Sequence, residues 1–203
     1  MTPMTPQGAP QKSNTNTVLV VVLVVGGLSL LCCVGSLAAI AVPNFLKFNV
    51  RAKQGEVKMN LKAAYTAERA WFAEKDTYSE SVEEVGFLPE PHNRYRYFLA
   101  VSGDPLVPGA PDGGFHPGIA ADLRVGPSPD NAALLAAIPP PLLAEAGVHG
   151  KCPDACHITI LAAGNIDGDS TIDVWSISTK DRTIDGVSVP AGKPHMHTDD
   201  TNN

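Results

Sequence analysis

The chain has 203 residues, 44% of them hydrophobic, and a formal net charge of −6 at pH 7. This negative balance argues against general nucleic-acid binding by bulk electrostatics. Outside its first apolar run the chain keeps about 160 residues, enough for one modest domain. Ten of its 18 prolines lie between Asp104 and Pro153, which predicts a loop-rich stretch there.

The first predicted elements are a tail and a membrane-spanning helix. Residues 1–17 are rich in Thr, Pro, Gln and Asn, which predicts a disordered cytoplasmic tail. Residues 18–42 hold no ionisable group apart from the thiols of Cys32 and Cys33. As a helix this run extends about 37 Å, enough to cross the ~30 Å hydrocarbon layer with some tilt. Residues 18–42 are therefore predicted to be the transmembrane half of a helix.

Small residues recur along the apolar run, where they let neighbouring helices approach closely in lipid. They are Gly26, Gly27, Gly35, Ala38 and Ala39. Pro43 follows the run and predicts a mild kink, because its ring displaces one backbone hydrogen bond. We therefore predict that these positions form the packing surface of the membrane helix.

The helical pattern continues past the apolar run and ends near Asp76. Residues 43–75 are predicted to be the amphipathic half of the helix, with one face packed on a globular domain. That face is lined, at helical spacing, by Val57, Leu61, Ala64, Glu68, Trp71 and Phe72. Residues 76–203 are then predicted to be the globular domain, with Pro/Gly-rich loops and a flexible C-terminal tail.

Short helices and strands are predicted inside the globular domain. Ser81 is a helix-capping residue ahead of one predicted helical turn. A second short helix is predicted from Ser128 to Ile138, stopped by the three prolines that follow. Aromatic and β-branched runs predict strands at residues 94–101, 157–162 and 172–178. The predicted fold class is α+β, with a long N-terminal helix packed on a small antiparallel β-sheet.

The junction between the two halves of the helix carries a family resemblance. Residues 37–46 read Leu-Ala-Ala-Ile-Ala-Val-Pro-Asn-Phe-Leu, followed by Arg51-Ala52-Lys53-Gln54 and later Tyr65-Thr66-Ala67. This sequence resembles the first helix of type IV pilins and pseudopilins, and the likeness covers roughly residues 35–100. The hairpin that begins at Asn165 also resembles pilins of predatory and gliding bacteria.

The resemblance implies a structural role without catalysis. The chain is expected to be a structural or accessory subunit of a type IV pilus or a type II secretion-like filament. Its expected partners are the cytoplasmic membrane and other pilin-like subunits or assembly proteins, and no nucleic acid. No Ser/His/Asp set, paired acid and base or phosphate loop stands out in the sequence, so no enzyme activity is expected.

The chain departs from the family pattern at the leader-cleavage motif. Type IV pilins have Gly at the end of the leader, then Phe, and Glu four residues later. Counted back from Pro43, these positions fall on Val21, Val22 and Gly26. We therefore expect the N-terminal tail to be retained. Ordinary signal peptidase cleavage after Ala41 is the alternative, although the apolar run is longer than a signal core.

The expected topology follows the family against the charge rule. Five basic residues follow the apolar run within 20 positions, whereas Lys12 precedes it, which by itself places the C-terminal part in the cytoplasm. Pilins break this rule at the same place and display the C-terminal domain outside. We therefore expect a single-pass protein with a periplasmic or extracellular domain, possibly within a surface filament.

Oxygen-bearing residues follow the second predicted strand and suggest a calcium site. They are Asn165, Asp167, Asp169 and Asp173. Hard cations prefer clustered oxygen ligands at alternate loop positions. An EF-type loop needs Gly at its sixth position and Glu at its twelfth, where Ser170 and Ser176 stand. An Asp/Gly-rich hairpin turn is the competing interpretation.

Cys152 and Cys156 are predicted to form a disulfide, because an exported domain is oxidised and Pro153 favours a tight loop. His157 follows directly, so c-type haem attachment is an alternative, although it normally spaces the cysteines by two residues. Three functions therefore stay open: a filament subunit, a membrane-tethered envelope binding module that does not polymerise, and an anchored haem carrier. No cofactor is expected for the first two, apart from the candidate calcium.

Overall fold

The computed structural model describes residues 15–110, 113–122, 130–168 and 171–199. It divides into two compact units, Met1–Leu46 and Lys47–Asn203. Helix α1 runs through both units, from Thr15 to Lys75. It begins three residues before the predicted start, and residues 1–14 of the predicted tail lie outside the described residues. The predicted end is confirmed, since Asp76 leaves the helix with a left-handed φ of 55°.

The second unit contains three short helices and eight strands within the described residues. The helices after α1 are α2 (Val82–Val85), α3 (Asn131–Ala137) and α4 (Pro140–Ala144). The strands are β1 (Arg96–Phe98), β2 (Gly118–Ile119), β3 (Gly147–His149), β4 (His157–Gly164), β5 (Asp173–Ser178), β6 (Arg182–Ile184), β7 (Val187–Val189) and β8 (His195–Thr198). The predicted α+β class is confirmed.

The main sheet is antiparallel throughout, in the order β2-β1-β4-β5-β8, with β3 also paired to β4. A separate hairpin joins β6 to β7. Strands β1 and β2 approach closely at Gly118, where an added Cβ would lie 2.2 Å from the Tyr97 carbonyl oxygen. Only glycine therefore fits at the β1–β2 pairing.

Both faces of the main sheet are buried, because alternate side chains point to opposite sides. On one face the sheet packs against α1, in a core formed by Val57, Leu61, Ala64, Tyr95, Tyr97, Ile158, Ile160, Trp175 and Ile177. On the other face it packs against α3 and α4, in a core formed by Phe98, Leu134, Ile138, Leu142, Leu161, Ala163 and Val174. The sheet is thus the middle layer of three.

Local signals explain where the short helices begin. Ser81 caps α2 by accepting a hydrogen bond from the Glu84 amide, as predicted. Asp130 caps α3 through the Ala133 amide at 2.7 Å, while the predicted cap Ser128 lies outside the described residues. The prolines predicted to stop this helix also begin another, since Pro140 occupies the first turn of α4, where its missing N–H is no loss.

One boundary prediction is wrong. The C-terminal segment was predicted to be a flexible tail, but residues 195–198 form β8 and pair with β5. The pairing is stabilised by a side-chain contact, since the Ser176 hydroxyl and His197 Nε2 lie 2.7 Å apart. The histidine and methionine residues of β8 do not predict a strand by themselves. This edge strand forms because it pairs with β5, which is distant in the sequence. Residues 200–203 lie outside the described residues.

Candidate assembly helix and its contacts

The apolar half of α1 is exposed along its whole described length. Every large aliphatic side chain from Val18 to Val42 is more than half exposed, although the segment is strongly apolar. It is also the one described helix long and apolar enough to cross a membrane. In water such a surface would drive aggregation, whereas in lipid it is the favourable arrangement.

Two polar side chains within and next to this segment form hydrogen bonds inside the helix. The Ser36 hydroxyl donates to the Cys32 carbonyl at 2.7 Å, and the Asn44 amide donates to the Ile40 carbonyl at 3.0 Å. Such local bonds remove the cost of placing polar groups in hydrocarbon. Ser36 and Asn44 therefore each have a hydrogen-bond partner within the helix itself.

The predicted helix-packing residues lie on this exposed segment. Gly26, Gly27 and Gly35 have open space where a Cβ would stand. Ala38 and Ala39 are exposed, and Pro43 lies within the continuous helix. Close approach of a second helix along these residues is sterically open, while the contact itself stays a prediction.

The other half of α1 is fixed to the sheet by apolar packing. Val57, Leu61 and Ala64 are completely buried, as their spacing predicted. Trp71 and Phe72 are only half-buried, so the contact loosens toward the end of the helix. Lys58 Nζ lies 5.0 Å from the centre of the Trp175 ring. This cation–π contact also holds α1 against the sheet, beside the apolar stripe.

A buried polar network ties α1 to β5. The Asp173 carboxylate accepts hydrogen bonds from the Tyr95 hydroxyl at 2.7 Å, the Gln54 amide at 3.1 Å and Trp175 Nε1 at 3.3 Å. Burial, and then the negative charge of Asp173, raise the pKa of Tyr95, so its hydroxyl stays protonated and donates. A buried carboxylate with several donors fixes the rotation of the helix on the sheet.

Two further polar contacts hold the middle of α1. Glu56 accepts from the Arg94 backbone and guanidinium, both at 2.8 Å. The Asn60 amide donates to the Tyr97 hydroxyl at 2.8 Å. Together with the Asp173 network, they give α1 one orientation on the sheet. The sequence did not predict these pairs, because the partners are 37 or more residues apart.

Glu68 differs from the other polar residues on this face, because its hydrogen bonding is incomplete. In the sequence it is the single charged residue in the apolar stripe. It is completely buried, and its Oε2 accepts a hydrogen bond from the Ser79 amide at 3.3 Å, whereas Oε1 has no partner. The pKa of Glu68 is raised to about 8, mainly by burial and also by the nearby charges of Glu80 and Glu84, whereas the hydrogen bond from Ser79 lowers it. The side chain is therefore mostly protonated at neutral pH.

Comparison with known proteins decides the family. A family model described as type IV pilin PilA matches residues 48–105. The chain is also 41% identical, over 161 residues, to the type IV major pilin protein PilA of Myxococcus xanthus strain DK1622. That match covers 71% of this chain and 73% of the relative. The chain belongs to the type IV pilin family.

The family assigns this pilin a structural, membrane-anchored role as a pilus subunit, and the exposed apolar half of α1 is its anchor. The resemblance inferred from residues 37–46 and the helix that follows is confirmed. The positions that the pilin pattern reserves for leader cleavage fall on Val21, Val22 and Gly26, all within the exposed segment.

The structure describes three of the four predicted calcium residues of this pilin. The Asn165 side chain accepts from the Gly168 amide at 2.7 Å, which makes it a turn-stabilising residue. Asp167 is exposed, and Asp169 lies outside the described residues. Asp173 is buried in the network under α1. Within the described ranges, no group of three or more His, Cys, Asp or Glu is placed to hold a metal ion. Calcium binding stays a prediction.

The predicted disulfide of the pilin is confirmed. Cys152 and Cys156 are bonded, with their Cα atoms 4.8 Å apart. Both sulfurs pack against the edge of the core that contains α1. The bond leaves neither thiol for a thioether link to haem, so the structure gives the haem alternative no support. His157 instead begins β4.

Proposed function

We propose that this pilin is a structural subunit that assembles into a type IV pilus and is held in the cytoplasmic membrane before assembly by one pass of residues 18–42. In this proposal residues 47–203 lie on the outer side of the membrane. Assembly then consists of lateral packing between copies of the apolar half of α1. No chemical step is required of the protein.

The observation that carries the proposal is the contrast along one helix. Leu30, near the centre of the apolar half, is 67% exposed in the isolated chain, whereas Leu61 in the other half is completely buried by the sheet. An exposed apolar surface of this length needs lipid or another apolar helix around it. A membrane supplies the first environment and a bundle of identical helices supplies the second.

The charged residues after the apolar half support the same arrangement. Lys47 and Arg51 are exposed, and long basic side chains near a helix end extend to the membrane surface. The disulfide supports the outer location of the globular unit, because such bonds persist in oxidising compartments. Protease added to spheroplasts should therefore degrade residues 47–203, and full protection of that unit would reverse the orientation.

The test of the proposal uses two exposed positions on the same helix. Leu30→Asp places a carboxylate at the centre of the membrane segment, at a cost of about 2.5–3.5 kcal/mol for insertion. The matched control is Met59→Asp, because Met59 is 72% exposed on the other half of α1. Membrane fractions and sheared surface filaments are then probed for each variant.

The proposal predicts that Leu30→Asp removes the pilin from both fractions, while Met59→Asp retains membrane anchoring. Wild-type pilin that stays in the membrane and never enters sheared filaments would instead support a tethered binding module. Wild-type pilin found as a water-soluble monomer would contradict the anchor itself.

A further inference from the structure

The sheet face away from α1 carries a cavity of about 420 Å³. His157 and Thr159 of β4 line it, and these residues share the side of the strand that Leu161 and Ala163 turn toward α3 and α4. The remaining lining residues come from the end of α4, from β3 and from the segment around β6: Ala144, Glu145, His149, Lys180, Asp181, Arg182 and Thr183. Every lining residue belongs to the globular unit, and none comes from α1.

A buried cation lies in the cavity wall, and its nearest anion is too far away for a hydrogen bond. The Arg182 side chain is only 9% exposed, and its Nε and Nη1 have no hydrogen-bond partner. Nη2 donates to the Ser176 hydroxyl at 2.9 Å. The nearest carboxylate oxygen, Glu145 Oε2, is 3.8 Å from Nη1, which is too far for a hydrogen bond.

Burial is costly for a guanidinium group whose ion pair is long and lacks a hydrogen bond. It lowers the pKa of Arg182, and Glu145 only partly opposes this effect. Glu145 is 57% exposed, so it can rotate away at little cost. The electrostatics of this wall therefore favour a carboxylate that comes closer to Arg182 than Glu145 does.

The rest of the lining favours hydroxyl groups over further negative charge. Burial, followed by Lys180 and His149, lowers the pKa of His157, so its imidazole is neutral at pH 7. His149 Nε2 is buried without a partner. Asp181 and Glu145 would repel a multiply charged phosphate, but their oxygens accept hydrogen bonds from hydroxyls. The lining is thus suited to a ligand with one negative charge and several hydroxyls.

We propose that this cavity binds a sugar acid of the uronate class, whose carboxylate replaces Glu145 beside Arg182. The ring hydroxyls then meet His149, His157 and Asp181, while Lys180 lies at the rim. The volume is in the range of small-molecule sites. The proposal goes beyond the pilus-subunit role and does not depend on filament assembly, because one subunit supplies every residue.

Titration calorimetry on the full-length pilin in detergent micelles tests this, with glucuronate as the probe and glucose and inorganic phosphate as comparisons. Glucose lacks the carboxylate, and phosphate lacks the ring hydroxyls. We expect glucuronate to bind at least tenfold more tightly than either. Equal binding of glucose, or tighter binding of phosphate, would overturn the proposal.

Variants locate the site. Arg182→Gln should weaken glucuronate binding at least tenfold, while the control Arg69→Gln, at an exposed position of α1, leaves it unchanged. Because Arg182 is buried and its loss can affect folding, Glu145→Ala provides the independent test. Removing this competing carboxylate should tighten binding about threefold. Weaker or unchanged binding by Glu145→Ala would sink the idea.

The source of the ligand is distinguished with a uronate trimer. Affinity equal to that of glucuronate indicates recognition of a single free or terminal sugar acid. Tighter binding indicates recognition of a uronate within a polymer. Both outcomes support the site, whereas failure of both probes to bind overturns it without affecting the pilus-subunit proposal.

Discussion

The two faces of the central sheet bury polar groups in opposite ways. On the face toward α1, the Asp173 carboxylate accepts from Tyr95, Gln54 and Trp175. On the other face, Arg182 keeps two guanidinium nitrogens without a partner next to an open cavity. A network in which every polar group is hydrogen-bonded fixes the structure, whereas a buried cation with incomplete hydrogen bonding can still gain energy by binding a ligand.

The largest expected effect tests the closed network. Asp173→Ala should lower the free energy of unfolding by about 3–5 kcal/mol, because it leaves three buried donors without their acceptor. Chemical denaturation of the full chain in micelles measures this. Asp154→Ala, at an exposed position between the two cysteines, is the control and should stay within about 0.5 kcal/mol. A small effect of Asp173→Ala would mean that the network does not fix the helix.

Glu68 sharpens the comparison, because it is the buried acid on the α1 face that is not fully satisfied. Its folded-state pKa of about 8 lies above its ordinary value of 4.5. The folded state therefore binds more protons, and stability should fall as pH rises from about 4.5 to about 8. Glu68→Gln should remove that part of the slope and stabilise the protein at pH 7 by an amount on the order of 2 kcal/mol.

Denaturation curves of both proteins at several pH values decide this prediction. The wild type and Glu68→Gln should converge in stability toward pH 4.5 and differ most above pH 8. If the free energy of unfolding changed with pH in the same way for the wild type and for Glu68→Gln, Glu68 would be ionised in the folded state. Such a result would mean that the Glu68 carboxylate is as well hydrogen-bonded as that of Asp173.

Substitution of Ser176 tests the face of the sheet opposite α1, and we expect a moderate loss of stability. Its hydroxyl accepts from Arg182 Nη2 at 2.9 Å and also contacts His197 of β8. Ser176→Ala should cost about 1–2 kcal/mol, because Arg182 loses its hydrogen-bonding side-chain partner. The control is Ser188→Ala, since Ser188 is exposed in β7. Equal stability of the two variants would show that Arg182 is compensated elsewhere.

The smallest effect is expected at Glu145. This side chain is mostly exposed and lies 3.8 Å from Arg182, so Glu145→Ala should change stability by less than about 0.5 kcal/mol. Thermal unfolding of the same micellar samples measures it. A decrease of more than about 1 kcal/mol in the free energy of unfolding would show that Glu145 is the structural counter-ion of Arg182. The buried polar groups on this face would then be as fully paired as those on the α1 face.

The sequence predicted those parts that depend on neighbours along the chain. Helix formation and membrane insertion depend on local spacing and hydropathy. The sequence therefore predicted the apolar run at residues 18–42, the stripe from Val57 to Ala64 and the cap at Ser81. The Cys152–Cys156 bond was also predictable, since five residues close a tight loop. The same holds for β4 and β5, whose β-branched residues carry a strand signal.

Tertiary structure alone decided which residues from distant segments meet. Asp173 appeared as a candidate metal ligand, yet folding placed it beneath α1, where Gln54 and Tyr95 reach it from 119 and 78 residues away. The segment at residues 195–198 appeared as a tail, and pairing with β5 made it a strand. Nothing near Arg182 in the chain marked it as a buried cation. Local pattern determines which elements form, but burial and polar pairing depend on how those elements pack, which no local pattern records.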